Sequence, residues 1–151
     1  HNSEGSFGYK LNDKLHPKSI VSDLNKSIKE NLYLGGPVEN SYLNFIHSSN
    51  QIEGSIKIKN DIYLGGDLDY ALANISNNNT DFKVKFFSGY SGWSPNQLDN
   101  EIEENSWIVI NEYISNFIFD QIDEKFWTSF LSGKGGKNKI FSNYPKDPTL
   151  N

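Results

Sequence analysis

Short apolar runs along the chain predict a fold that contains several strands. Phe82, Val84 and Phe86 alternate with lysines, a period of two that is typical of a strand with one buried face. Asn31–Val38 and Asp61–Leu68 lie thirty positions apart, and each contains a short apolar strand that ends at a glycine pair, so we interpret them as one strand-and-turn arrangement used twice. Further strands are predicted around Tyr9 and Leu11, at Ile56 and Ile58 with the preceding Ile52, at Trp107–Ile110, and at Phe117 and Phe119.

Helices are predicted where apolar residues recur every three or four positions. Pro17 and Asp67 stand where two helices begin, and Asp67 is a good N-cap residue. Asp120 is predicted to cap a last helix, which Gly133 ends. The buried stripes of these helices are predicted to be Ile20, Val21, Leu24 and Ile28; Leu68, Leu72 and Ile75; and Ile122, Phe126, Phe130 and Leu131.

The stretch Phe87–Leu98 is the most informative part of the sequence. Gly89 and Gly92 bracket a tyrosine and a serine, and glycine adopts backbone angles that are closed to other residues. We therefore predict that a strand ends here in a glycine elbow. A helix follows, with Ser94 as its N-cap, a proline at its first position and Gln97 completing a capping box. Its predicted buried stripe and end are Leu98, Ile102 and Asn105.

Length and composition restrict the class of protein. At 151 residues the chain is expected to form a single domain, 1–151, with a packed core rich in aromatic side chains. It has no cysteine, which excludes disulfides, zinc–thiolate sites and thiol catalysis. The longest apolar runs are far too short to span a membrane, so we expect a soluble, cytoplasmic protein. Methionine is absent even at position 1, which we interpret as the mark of a fragment.

The charge pattern disfavours sequence-specific nucleic-acid binding. All fourteen basic residues are lysine, and the formal net charge is −5. Bidentate recognition of guanine or phosphate favours arginine, which this chain lacks. A local patch formed by Lys134, Lys137 and Lys139 remains as an alternative nucleic-acid surface.

Catalytic and metal-binding patterns are weak. Gly89-Tyr90-Ser91-Gly92-Trp93 does not match a serine-hydrolase elbow, and all three histidines precede Ser91, so no triad is predicted. His47 has no metal-type spacing to Glu53, Asp61 or Asp67, and a structural histidine is the simpler interpretation. Glu101 and Glu104 lie one helical turn apart, where an acidic solvent face explains them more simply than a carboxylate pair. No metal or cofactor is therefore expected.

Two other features are typical of binding sites. The backbone amides around Gly92 and Ser94 lie at a predicted helix start, where a phosphate or carboxylate could bind. Tyr90 and Trp93 are aromatic residues of the kind that anchor protein interfaces, and they lie at a glycine corner. For Trp93, packing back onto the core is an equally good interpretation.

Taken together, the sequence resembles the AlgH/YqgE family of bacterial proteins. The resemblance rests on Leu34–Val38, on His47, and on Gly89–Ser94 followed by Gln97, Leu98 and Glu101. It extends to other positions along nearly the whole chain: His1, Asn2, Gly5, Gly8, Asn12, Asn105, Trp107, Phe126, Trp127 and Leu131. Gly65-Gly66-Asp67 looks like a subgroup variant.

The resemblance implies an α+β fold, in which a bent, partly split β-sheet curls into a barrel-like sandwich with short helices packed outside. It also implies that an N-terminal strand-bearing segment precedes the position of His1 in the intact protein, whose loss would leave an unpaired edge or groove. Family members are labelled either as uncharacterised proteins or as transcriptional regulators, and the resemblance supplies no catalytic residue and no cofactor.

From these observations we predict a non-enzymatic binding protein with a protein partner and a regulatory outcome. Its binding surface is predicted to be a groove formed by Tyr90, Ser91, Gly92, Trp93, Ser94 and Gln97, walled by Gly35, Gly36 and His47. A small-molecule or anion site at the Ser94 helix start is the alternative, and a nucleic-acid surface at the C-terminal lysines is the second alternative.

Overall fold

The fold is known from a computed structural model, which describes residues 1–16, 23–109 and 115–120. His1–Phe119 form one compact unit and Asp120–Asn151 a second, of which only Asp120 is described. The predicted single domain over 1–151 stays a prediction. Several predicted features lie outside the described residues, namely Ile20 and Val21, the helix after Asp120, and the lysines Lys134, Lys137 and Lys139.

The described unit is an α+β fold with a curled, half-barrel sheet of six strands and a few short helices, as the family resemblance implied. β6 is the organising strand, because one of its edges pairs with β3 and the other with both β1 and β2. Only the β2–β6 pair is parallel among these pairings. The strands are β1 (Ser6–Gly8), β2 (Leu32–Leu34), β3 (Val38–His47), β4 (Ile56–Lys59), β5 (Ile62–Leu64) and β6 (Val84–Trp93), in the order β1-β6-β3-β5-β4.

Pairs of adjacent apolar residues bury both faces of this sheet. Neighbouring residues of a strand point to opposite faces, so Phe86 and Phe87 of β6 belong to different clusters, and both are completely buried. The cluster on the first face also contains Ile28, Leu32, Phe45, Ile52 and Ala71. The cluster on the second face contains Tyr33, Ile46 and Ile62, with Tyr9, Leu11 and Leu64 packed partly against it.

The four described helices are short: α1 (Lys26–Glu30), α2 (Leu68–Ser76), α3 (Gln97–Glu103) and α4 (Ser115–Phe119). The prediction for α2 is confirmed, because the Asp67 carboxylate accepts hydrogen bonds from the amides of Asp69 and Tyr70, at 2.9 and 3.1 Å. Its stripe packs on the first cluster. In the described residues no helix is both long enough and apolar enough to cross a membrane.

The predicted glycine elbow is wrong, because β6 continues through both glycines to Trp93. Gly89 has a φ of 69°, and its β3 partners shift register between Val38 and Leu43, so this glycine bends the strand without ending it. β1 then pairs with the far end of β6, Ser6 opposite Trp93. This pairing keeps residues Ser91–Trp93 extended. The local sequence does not reveal it, because the two strands lie some eighty-five positions apart.

The two glycine pairs also differ from the prediction. Gly65 and Gly66 have φ values of 64° and 94°, angles that only glycine adopts readily, whereas Gly35 and Gly36 are not in this region. The strands before them differ as well, since β2 is parallel to β6 and β5 is antiparallel to both of its neighbours. The repeated sequence therefore forms a strand in both places, but the chain turns differently after each strand.

Other predicted elements need correction. Trp107, Ile108 and Val109 are exposed and form no strand, because a run of four apolar residues carries no information about which face is covered. Phe117 and Phe119 lie in helix α4, where Ile118 and Phe119 pack together on the second cluster. The first strand lies at Ser6–Gly8, earlier than Tyr9 and Leu11, and Ile52 lies outside β4 although it is buried.

Lys85 is the largest exception to the alternating pattern of the sequence. The alternation predicts a solvent face for this lysine, yet only 1% of it is exposed, and its Nζ lies 4.4 Å from the centroid of the Tyr33 ring. This part of β6 is covered on both faces, so Lys85 is buried although it is polar. The aromatic face compensates part of the cost of removing the ammonium group from water.

Candidate functional site

The chain turns sharply at the end of β6. The Ser94 carbonyl accepts a hydrogen bond from the Gln97 amide at 3.0 Å, and Asn96 has a φ of 63°. Proline at the second position and a left-handed asparagine at the third are the features of a type II turn. This turn, and not a helix cap at Ser94, reverses the chain direction after Trp93.

Helix α3 starts later than predicted, at Gln97, with Asn96 as an N-cap that makes no side-chain cap. One half of the predicted capping box is present, because the Gln97 Oε1 accepts from the Ser94 amide at 3.0 Å. The predicted end is confirmed: Asn105 has a φ of 60°, and the Asn105 and Ser106 amides donate to the carbonyls of Ile102 and Glu101 as in a Schellman motif. Ile102, predicted to be buried, is 37% exposed.

Glu101 ties this corner together. Its Oε2 accepts hydrogen bonds from the indole nitrogens of Trp93 and Trp107, at 3.1 and 2.7 Å, and its Oε1 accepts from the Gln97 amide nitrogen at 3.0 Å. The two tryptophan rings meet edge to face with centroids 5.8 Å apart. The interpretation of Glu101 as part of an acidic solvent face is therefore wrong, whereas Glu104 is exposed.

These hydrogen bonds decide the protonation state of Glu101. Bonding to Trp107 first, then Gln97 and Trp93, holds the pKa of the carboxyl below its usual range, although desolvation opposes the shift. The carboxylate is ionised at neutral pH, and its oxygens are already used by three donors. It is a positioning group for the corner and not half of a carboxylate pair.

We expect the fluorescence of the tryptophan pair to depend on acid through Glu101. A group whose pKa is lower in the folded state contributes stability above its unfolded pKa and loses it as the pH falls through the folded pKa. Acidification of the wild type below about pH 4.5 should therefore change tryptophan emission while the backbone circular dichroism is still native. Glu101→Gln should lack this step. An identical acid transition in wild type and variant would show that the network does not hold the corner.

A groove of about 830 Å³ opens beside this corner, between the N-terminal segment and the end of β6. Its size is within the range of ligand sites. Strands β3 and β5 contribute Val38, Asn44 and Leu64 from the side of the second cluster. The other lining residues are His1, Asn2, Glu4, Gly5, Ser6, Phe7, Tyr9, Tyr90, Gly92, Trp93, Ser94 and Pro95.

Three aromatic rings form one corner of the groove. Phe7 meets Tyr9 and Tyr90 at steep angles, with centroids 6.0 and 6.3 Å away, and Phe7 is 53% exposed. Tyr9 stacks on the buried Phe87 at 4.4 Å, which anchors this aromatic corner to the core. Burial, and secondarily the neighbouring Tyr90, raise the pKa of Tyr9, so its hydroxyl stays protonated at neutral pH.

The structure brings together only some of the predicted site residues. Tyr90, Gly92, Trp93 and Ser94 line the groove, and Ser91 and Gln97 do not. Trp93 is half-buried at the corner, where its indole bonds Glu101, and it belongs to neither core cluster. Among the residues that sequence reasoning missed are Glu4, Phe7, Tyr9, Val38 and Asn44. One indication of a role for Phe7 was present in the sequence, namely its position between two glycines, Gly5 and Gly8.

Gly35 and Gly36 have a packing role. A Cβ on Gly35 would lie 2.3 Å from the Gly89 carbonyl oxygen, and one on Gly36 would lie 2.2 Å from the Tyr90 carbonyl carbon. These glycines let the chain after β2 lie directly against the backbone of β6. They support the strand that carries Tyr90 and do not wall the groove.

His47 is a structural histidine, as the simpler interpretation predicted. It is completely buried and stacks on Tyr63, its Nε2 lies 2.9 Å from the Gly65 carbonyl oxygen, and its Nδ1 accepts from the Ser49 amide at 3.3 Å. Desolvation lowers its pKa, which favours the neutral ring with the proton on Nε2. His47 does not line the groove, although it pairs with Tyr63, the neighbour of the lining residue Leu64.

The described residues offer little support for a metal or anion site. No group of three or more histidine, aspartate or glutamate side chains among them could hold a metal ion. The Ser94 amide, the main donor of the predicted anion site, is bonded to Gln97, and the helix that follows has only 7 residues.

Comparisons with known proteins agree with this fold. The family model described as DUF179, AlgH-like, matches residues 1–139. A UPF0301 protein of Parabacteroides distasonis is 40% identical over 158 residues, covering 100% of this chain and 78% of the relative. A UPF0301 protein of Cytophaga hutchinsonii is 37% identical over 160 residues, covering 100% of this chain and 85% of the relative.

Two solved structures share the architecture. The solution structure of the AlgH protein from Pseudomonas aeruginosa has a TM-score of 0.65 at 20% identity, covering 97% of this chain and 82% of that one. The crystal structure of protein DIP2367 from Corynebacterium diphtheriae has a TM-score of 0.64 at 17% identity, covering 95% and 78%. At such identities the likeness concerns the fold alone, and it is the family-model match together with the relatives that shows this chain to be a member of the AlgH-like family.

Proposed function

We propose that this chain is a non-enzymatic, cytoplasmic binding protein whose groove receives a segment of a partner protein, with regulation as the outcome. The aromatic corner is the observation that carries the proposal. Phe7 leaves 53% of its surface in water at the mouth of a groove, on rings that are fixed to the core through Phe87. Rigid, exposed aromatic residues beside a cavity are typical anchors of protein recognition.

The surroundings of the corner favour binding over catalysis. The Glu101 carboxylate at the corner accepts hydrogen bonds from three donors, which fix it in place and leave it poorly suited to act as a general acid or base. The groove lies between strands and a turn, whose positions are set by backbone pairing, by the bond from the Ser94 amide to Gln97 and by the Glu101 bonds. A preorganised groove of this kind loses little entropy when it binds a partner.

Affinity capture from a lysate of the native host, with nuclease added, would test the proposal. Phe7→Ser removes the exposed ring from the groove, and Tyr42→Ser is the matched control, because Tyr42 is 65% exposed and does not line the groove. Trp93 is a poorer target, since its indole also bonds Glu101. We expect proteins captured by the wild type and by Tyr42→Ser to be reduced about tenfold with Phe7→Ser.

Equal capture by both variants would contradict the proposal, as would capture that disappears with nuclease. The two variants should melt within about 2 °C of the wild type, because each removes a ring that is mostly in water.

A further inference from the structure

We propose that the groove anchors its partner segment by a cationic side chain, a lysine or an arginine, which lies over the rings of Phe7, Tyr9 and Tyr90 beside the Glu4 carboxylate. This inference rests on the proposed function and adds the chemical class of the partner. It concerns the aromatic corner of the groove and no residue of the Glu101 network.

The geometry of the rings suits a cation. Phe7 is inclined by 75° to Tyr9 and by 83° to Tyr90, with centroids about 6 Å away in both cases. Rings at steep angles present several π faces around one corner, so that one ammonium or guanidinium group can lie within about 6 Å of more than one ring centroid. The same chain holds the Lys85 ammonium over the Tyr33 ring at 4.4 Å, in the cluster that Tyr9 joins.

The charge of the lining also selects a cation. Glu4 lines the groove with an exposed carboxylate that makes no ion pair with any described residue. No lysine lines the groove. The one basic lining side chain, His1, is already bonded through Nδ1 to the Ser6 hydroxyl at 2.7 Å, and its Nε2 lies 3.6 Å from an Asp99 carboxylate oxygen.

Other partner segments fit the groove less well. An acidic segment would meet Glu4 and the net charge of −5 without a compensating lysine in the lining. A wholly apolar segment would cover the Glu4 carboxylate and leave it without a partner, which costs free energy. A segment that carries a lysine or arginine brings the charge that favours both the ring faces and the carboxylate of this lining.

Nuclear magnetic resonance titration with synthetic peptides tests the inference. The probes are peptides of serine and leucine with a single central lysine, and matched peptides with norleucine or glutamate at that position. Norleucine keeps the length of the side chain and removes the ammonium group. Binding is followed at the backbone amides of Phe7, Tyr9 and Tyr90.

We expect the lysine peptide to bind about tenfold more tightly than the norleucine peptide, and the glutamate peptide to bind least. Glu4→Gln should weaken the lysine peptide about threefold, and Phe7→Ser about tenfold. Glu103→Gln is the charge-matched control and should change nothing, because Glu103 lies on α3 and does not line the groove.

Equal binding of all three peptides at these amides would overturn the cation assignment and leave the groove as the binding surface. Lysine-peptide shifts elsewhere, unchanged affinity in Glu4→Gln, or no binding at the groove would also overturn it. Whether the groove is the partner surface at all is decided separately, by capture with Phe7→Ser and Tyr42→Ser.

Discussion

Replacing Gly36 by alanine is expected to destabilise the fold by about 3 kcal/mol, which lowers the Tm by about 6–12 °C. The added methyl carbon would lie 2.2 to 2.4 Å from three backbone atoms, the carbonyl carbon and oxygen of Tyr90 and the nitrogen of Ser91. Backbone atoms of a paired strand cannot move aside as a flexible side chain can. Urea denaturation followed by circular dichroism measures the effect.

Gly8→Ala is the matched control for this prediction. Its Cβ would meet only the Trp93 ring, at 3.6 Å, an ordinary contact distance, and Gly8 has no left-handed φ. We expect a change within about 0.5 kcal/mol. If Gly36→Ala were as stable as Gly8→Ala, the close approach of the chain after β2 to the backbone of β6 would be wrong.

Replacing Phe87 by alanine is expected to cost about 3–5 kcal/mol and to loosen the groove. The ring is completely buried, stacks on Tyr9 at 4.4 Å and lies 6.3 Å from the Tyr33 ring. Its removal leaves a cavity in the second cluster directly beneath the aromatic corner. Urea denaturation gives the free energy of unfolding, and the nuclear magnetic resonance shifts of the Tyr9 ring report the state of the groove.

Phe86→Ala provides the comparison, because Phe86 is equally buried but belongs to the cluster on the other face of the sheet. Both variants should lose similar stability, and only Phe87→Ala should move the Tyr9 signals. Movement of the Tyr9 signals in both variants, or in neither, would show that Phe87 does not fix the aromatic corner.

Elements with a strong local signal were predictable from the sequence. Asp67 caps α2 as expected, and Asn105 ends α3 with the left-handed angle that its position after a helix indicated. β2 and β5 lie at the two apolar runs before the glycine pairs. In these cases the residues that determine the local structure are neighbours in sequence, so the sequence pattern is enough to predict the element.

The groove depends on contacts that no local pattern shows. β6 passes through Gly89 and Gly92 because β1, at the other end of the sequence, pairs with residues Gly92 and Trp93. Phe7 is placed beside Tyr90 by the same pairing. The sequence pattern therefore located the part of β6 that carries the site but could not supply the N-terminal residues that complete it.

Polar groups that are held by the protein rather than by water were the other source of error. Lys85 alternates with apolar residues in the way an exposed lysine does, but it lies on a strand covered on both faces. Glu101 has the sequence neighbourhood of an acidic surface, yet two indole groups and Gln97 bond it. Trp107, one of these donors, lies six positions further along, after the helix has ended.

Site-specific photocrosslinking in the native host tests whether the groove is the partner surface. A photoreactive phenylalanine analogue replaces Phe7 in one strain and Tyr42 in another, so that both probes are exposed aromatic residues on the same protein. We expect a discrete protein adduct from position 7 and none from position 42. Adducts of equal yield from both positions, or adducts from position 42 alone, would contradict this expectation.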